Sequence, residues 1–131
     1  MKCLIVEDDF VSRKVLQKAM SPYAECHVAV DGQEAIDACE LAWQENDPYQ
    51  LILLDIMMPN VDGQEALKQI RALEKKQGIK EKDGAKIVMT TALDDPKNVV
   101  TAYYDGGANA YLTKPYDNEK LMHTLKDLEL V

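Results

Sequence analysis

The sequence predicts a single α/β domain over residues 1–131, built on a doubly wound, five-stranded parallel sheet in the order 2-1-3-4-5 with five helices. Three observations predict it. Short apolar runs alternate with stretches of helical periodicity five times in succession, as repeated βα units do. The third run, Tyr49 to Leu54, is apolar almost throughout, as a strand covered on both faces must be. Capping and turn residues fall between the two kinds of segment. Right-handed crossovers then place helices on both sides of the sheet.

Lys2 to Val6 is the first strand candidate, and Val11, Val15 and Ala19 follow at helical spacing. Glu25 to Ala29 reads as the second strand. Asp31-Gly-Gln-Glu34 is a capping-box pattern, opening a helix in which Ala35, Cys39, Ala42 and Trp43 share a face. After the third strand, Pro59-Asn60-Val61-Asp62-Gly63 supplies turn chemistry, and Asp62-x-x-Glu65 caps a third helix with Ala66, Ile70 and Leu73 inward. Lys75 to Lys86 is polar, carries Gly78 and Gly84, and reads as a helix end and a solvated loop. Ala85 to Thr90 is the fourth strand. Asp95-Pro96 offers an N-cap with proline in the first turn of a fourth helix, which Gly106-Gly107 ends. Asn109 to Thr113 is the fifth strand, broken by Lys114-Pro115. Asp117 starts a last helix lined by Leu121, Leu125 and Leu128. No internal repeat or low-complexity segment interrupts this order.

Fifteen basic against twenty-three acidic residues leave a net charge of −8, which opposes sequence-independent binding to nucleic acid or to an anionic membrane. Proteins and cations are the expected partners. Apolar runs such as Leu51 to Leu54 are far too short to cross a bilayer. Met1-Lys2 leads into a run stopped at once by Glu7-Asp8-Asp9, without the pattern of a secretory leader, so a cytoplasmic location is expected. Cys3, Cys26 and Cys39 form no C-x-x-C pair and read as reduced thiols in apolar surroundings.

In the 2-1-3-4-5 order, ligands bind outside the carboxyl ends of strands one and three. There the sequence places Glu7, Asp8 and Asp9 just past strand one and Asp55 as the last residue of strand three. Crowded carboxylates repel unless a hard divalent cation sits among them, and magnesium takes a few such oxygens together with water and phosphate oxygens. Strand four ends in Thr90-Thr91-Ala92 and strand five in Lys114, which add a hydroxyl and an ammonium to the same rim. Each residue has an ordinary reading by itself: a solvated acidic turn, a helix N-cap at Asp55, a buried hydroxyl, a surface lysine. Jointly they are what phosphoryl transfer to an aspartate needs, with Asp55 as nucleophile.

The stretches Leu4-Ile-Val-Glu-Asp-Asp9, Leu53-Leu-Asp-Ile-Met-Met-Pro59 with Asp62-Gly63, Met89-Thr-Thr-Ala92 and Gly107-Ala-Asn-Ala-Tyr-Leu-Thr-Lys-Pro115 resemble the response-regulator receiver family, whose flavodoxin-like fold matches the order above. The resemblance runs the whole length of the chain and implies one receiver domain. By it, Asp55 is the phospho-acceptor and Asp8 a direct Mg2+ ligand. Glu7 holds the ion mainly through water, and the backbone carbonyl of Met57 completes the protein ligands. Thr91 and Lys114 would contact phosphoryl oxygens, Lys114-Pro115 would be a cis peptide bond, and Thr91 with Tyr111 would form the switch. Asp9 departs from the family's usual acidic pair, and Met57 and Leu93 stand at positions that vary among receivers.

The resemblance further implies a sensor histidine kinase or phosphotransfer protein as donor. A downstream protein would be reached through the face of helix four, strand five and helix five, which carries Tyr103, Tyr104, Tyr111 and Tyr116. The chain ends soon after the fifth helix, so signalling by docking is expected rather than enzymatic output. The competing reading, a phosphohydrolase with an aspartyl-phosphate intermediate, calls for Asp-x-Asp-x-Thr where this chain has Asp55-Ile-Met-Met-Pro59. A flavin-binding module would want a Ser/Thr/Gly-rich loop after strand one, which is missing.

Overall fold

The computed structural model describes residues 1–56, 58, 61–92 and 107–131, without the side chains of Glu81, Thr91 and Ala92. Five parallel strands, β1 (Lys2–Val6), β2 (Glu25–Ala29), β3 (Leu51–Asp55), β4 (Lys86–Ala92) and β5 (Ala110–Lys114), pair in the order β2-β1-β3-β4-β5. The described residues hold four α-helices: α1 (Phe10–Met20), α2 (Gly32–Gln44), α3 (Gly63–Lys76) and α4 (Asn118–Asp127). The helix expected between Asp95-Pro96 and Gly106 lies outside the described residues, so α4 corresponds to the fifth helix of the sequence reading. Gly107, just beyond, has φ +81°, a conformation that side chains disfavour and that suits a helix stop.

The sheet divides two apolar cores. Leu4, Val6, Ile52, Leu54, Ile87 and Met89 pack under α2 and α3, whereas Ile5, Leu51, Leu53, Val88 and Leu112 pack under α1 and α4. Every residue of β3 is buried, as its unbroken apolar run requires. Burying each such large side chain contributes about 2 kcal/mol before chain entropy is set against it.

Capping chemistry fixes where the helices begin. Asp31 accepts from the Glu34 N–H at 2.8 Å, Asp62 from Glu65 at 2.9 Å and Asp117 from Lys120 at 2.8 Å. Glu34 reaches back to the Val30 N–H at 3.1 Å, one residue earlier than a capping box implies. α2 and α3 open on the same five residues, Asp-Gly-Gln-Glu-Ala, and their glycines share a role. A Cβ on Gly32 would lie 2.1 Å from the Val61 carbonyl oxygen, and one on Gly63 would lie 2.2 Å from that of Asp55. Both helix starts therefore press against backbone, and the start of α3 lies directly behind Asp55.

The structure corrects several sequence-based expectations. β3 ends at Asp55, β4 at Ala92 and β5 at Lys114 as their strand-end residues indicated, but β5 starts at Ala110 and not at Asn109. Leu73 and Leu128 are only partly buried. On α1 the helix buries Leu16 and Met20, leaving Val11 and Val15 at 67% and 62% exposure. The polar stretch after α3 hides Glu74, which is buried and accepts from the Ala85 N–H at 2.7 Å and from Arg71 at 2.6 Å.

Candidate functional site

The ends of β1, β3, β4 and β5 bring the candidate residues to one rim. Glu7 continues β1 by one rung, its N–H donating to the Ala29 carbonyl at 3.1 Å, and its own carbonyl accepts from Arg13 at 3.0 Å. Asp55 closes β3, opposite Thr90 of β4, and Lys114 closes β5, opposite Ala92. Lys114 is preceded by Thr113, which is paired with Thr91, and is followed by a cis bond to Pro115, as the resemblance implied.

The Lys114 ammonium lies 3.2 Å from a Glu7 oxygen and 3.3 Å from an Asp55 oxygen, so one cation bridges two carboxylates that are 2% and 4% exposed. Burial pushes the Glu7 carboxyl up, Asp55 adds to that, and Lys114 draws it only part of the way back. For Lys114, burial works downward, but Asp55 and Glu7 outweigh it and the ammonium is held above its ordinary range. The two shifts agree: the pocket carries more negative charge than a single lysine neutralises. Tyr116, packed beside it, has its phenol pushed up to about 12 by burial and then by Glu7 and Asp55.

Glu7, Asp8 and Asp55 each offer a carboxylate oxygen, and the three oxygens lie within 4.8 Å of one another. Around magnesium, with bonds of about 2.1 Å, opposite ligands are about 4.2 Å apart. Two direct carboxylates and one reached through water therefore fit this spacing. The donor set is all oxygen and anionic, which suits Mg2+ and not a soft metal. Met57, whose carbonyl was expected to join them, lies outside the described residues, as does the side chain of Thr91.

Asp9, the extra acid of the sequence, belongs to α1 rather than to the pocket. Its carboxylate caps the helix, accepting from the Ser12 N–H at 2.8 Å, and this bond holds its pKa below the usual carboxylate range. Tyr111 is 42% exposed on β5, where its register partner is Met89. Sequence reasoning passed over a groove of about 510 Å³ that borders Glu7 and Lys114 and runs along Val11, Val15, Leu16 and Tyr116. Its signal was the position of Val11 and Val15 within two turns of the acidic run.

A family model described as the response regulator receiver domain matches residues 3–126. The chain is 33% identical over 129 residues to the peroxide stress-activated histidine kinase mak2 of Schizosaccharomyces pombe, a match that covers 98% of this chain and 5% of that protein. It is 29% identical to the chemotaxis protein CheY of Halobacterium salinarum, covering 95% of this chain and 93% of that one. Among solved structures it resembles the co-crystal structure of the Saccharomyces cerevisiae histidine phosphotransfer signaling protein Ypd1 and the receiver domain of its downstream response regulator Ssk1. There the TM-score is 0.82 at 30% identity, covering 100% of this chain and 92% of that one. The chain thus spans only a small part of the kinases to which it is similar.

Proposed function

The chain belongs to the response regulator receiver domain family of two-component signalling, and from that premise we propose that Asp55 accepts a phosphoryl group from a phosphohistidine donor. The observation that carries the reading is the Lys114 ammonium, within 3.3 Å of both Asp55 and Glu7, at the crevice where the strand order reverses. An Asp55 carboxylate oxygen attacks phosphorus, the phosphorus–nitrogen bond breaks, and the electron pair leaves with the donor's imidazole. The product is an aspartyl phosphate, whose new charge Lys114 pairs with and to which the Thr91 hydroxyl donates. When bound among Glu7, Asp8, Asp55 and the Met57 carbonyl, Mg2+ supplies neutralisation of the acidic pocket and of the phosphoryl oxygens. Those residues hold the ion and orient the acceptor.

The donor in this reading is a sensor histidine kinase or a phosphotransfer protein, and the apolar rim of α1, with Phe10, Val11 and Val15 exposed beside the groove, offers it a landing surface. Output leaves through β5, α4 and the helix expected before them, with Thr91 and Tyr111 as the switch and a downstream protein as reader. The chain acts as acceptor and switch, not as an enzyme, and works in the cytoplasm; among the described residues no helix is long and apolar enough to cross a membrane. The test is incubation with acetyl phosphate and Mg2+, followed by intact-mass and peptide mapping. One added phosphoryl group on Asp55, lost in Asp55→Asn, supports the reading. Labelling elsewhere, or labelling that survives Asp55→Asn, overturns it.

A further inference from the structure

We propose that Cys3 and Cys26 form an oxidisable thiol pair that closes into an intramolecular disulfide across β1 and β2 when the protein meets a hydroperoxide. The two residues are register partners on adjacent parallel strands. Partners in a parallel ladder put their side chains on the same face, about 4.8 Å apart, inside the Cα separation that a disulfide spans. Both side chains enter the same apolar core, under α1 and α4, Cys3 within it and Cys26 packed against it. Cys3 is fully buried, whereas Cys26, on the edge strand, is half-buried and also donates to the Ala24 carbonyl at 3.6 Å. The arrangement therefore has an approachable sulfur and a concealed one behind it. Cys39 is buried in the opposite core, so no third thiol competes within the chain.

The chemistry balances with a hydroperoxide as oxidant. The Cys26 thiolate attacks the peroxide oxygen, the O–O bond breaks, and the leaving oxygen departs as hydroxide or alkoxide, giving a sulfenic acid. Cys3 gives up its proton and attacks that sulfur, the S–O bond breaks, and water leaves as the S–S bond forms. Two electrons pass from the sulfur pair to the peroxide, whose oxygens end as water or as water and alcohol. A thiol reductant reopens the bridge by thiol–disulfide exchange, attacking one sulfur and releasing the other as thiolate. Burial holds both thiols above their ordinary range, so closure is slow at neutral pH and accelerates as pH rises, because only the thiolate attacks.

The experiment treats the full chain with hydrogen peroxide, blocks free thiols and maps peptides under non-reducing conditions, before and after dithiothreitol. The expected result is a cross-linked peptide pair containing Cys3 and Cys26, lighter by two hydrogen atoms, formed faster at higher pH and reopened by the reductant. Cys39→Ser should not affect it, and Cys26→Ser should leave Cys3 a free thiol. Over-oxidation of Cys26 with Cys3 still free, a Cys26–Cys26 link between two chains, or pairing with Cys39 would each overturn the proposal. So would thiols that stay reduced while exposed methionines oxidise.

Discussion

Lys114 holds two buried carboxylates at once, which gives each partner a measurable role. Lys114 is the group that draws Glu7 back down, so in Lys114→Ala the Glu7 carboxyl should titrate higher still in NMR pH titrations. The variant should still take up phosphate from acetyl phosphate yet lose the accompanying backbone shift changes, since in the proposed function the ammonium senses the phosphoryl charge. A wild-type pattern of shifts in that variant would remove Lys114 from the switch. Glu7 also sets a pH dependence. Its folded pKa lies above its unfolded value of 4.5, so between the two the folded state holds a proton that the unfolded chain has lost. Stability from this group is fully present below that window and falls as pH rises through it. Lys114, raised from 10.5, keeps its contribution throughout the acid and neutral range and loses it only in alkali. Urea melts at several pH values should therefore show Glu7→Gln gaining on wild type as pH rises toward neutrality. Mg2+, which binds the ionised carboxylate, should reverse that gain in wild type.

The helices and strands with one clear apolar stripe were legible in the residues, and those serving two purposes were not. β3, with its unbroken run, and α2 and α3, with Asp-Gly-Gln-Glu starts, form almost where their sequences say. α1 misled because it is apolar on two sides: Leu16 and Met20 face the core, while Val11 and Val15 line the groove, and periodicity cannot say which stripe is inside. Glu74 was invisible because nothing local marks a glutamate as buried; its partners, Arg71 and the Ala85 N–H, come from a helical turn away and from across a loop. Arg71 further donates to the Ala85 and Gly107 carbonyls and to Asn109, so the pair ties α3 to the entrances of β4 and β5. Glu74→Ala, which takes one acceptor from the half-buried Arg71 guanidinium and leaves the Ala85 N–H without its own, should lower stability by about 2 kcal/mol in denaturant melts, with acetyl phosphate labelling of the remaining folded protein unchanged. Gly63→Ala should affect both properties. Its Cβ would meet the Asp55 carbonyl at 2.2 Å, so α3 must retreat and carry the acceptor's backbone with it, which slows labelling as well as lowering the melting midpoint.

At the scale of the whole molecule, the proposed function assigns receiving and transmitting to different parts of the sheet. The acidic pocket sits where β1 and β3 diverge in strand order, and β4 and β5 lead from it to one edge, joined rung by rung from Val88 and Ala110 to Ala92 and Lys114. A phosphoryl group on Asp55 adds about two negative charges beside Lys114. In the proposed reading the ammonium trades part of its hold on Glu7 for the new oxygens and draws on the end of β5 that carries it. Among the described residues β5 is an edge strand with Tyr111 exposed and α4 packed against it, so in the proposed reading a shift there leaves β1, β2 and the core beneath α2 in place. A conformational bias of this kind becomes a signal when a partner binds one arrangement better than the other. The expected outcome of amide hydrogen exchange, with beryllofluoride and Mg2+ as a phosphoryl mimic, is altered protection across Ala110–Lys114 and in α4, with β2 and α2 little changed. The same experiment on Lys114→Ala should show the mimic bound but β5 unaltered. Changes confined to α1 and α2, with β5 and α4 as before, would move the transmitting face to the other edge of the sheet and detach Tyr111 from the switch.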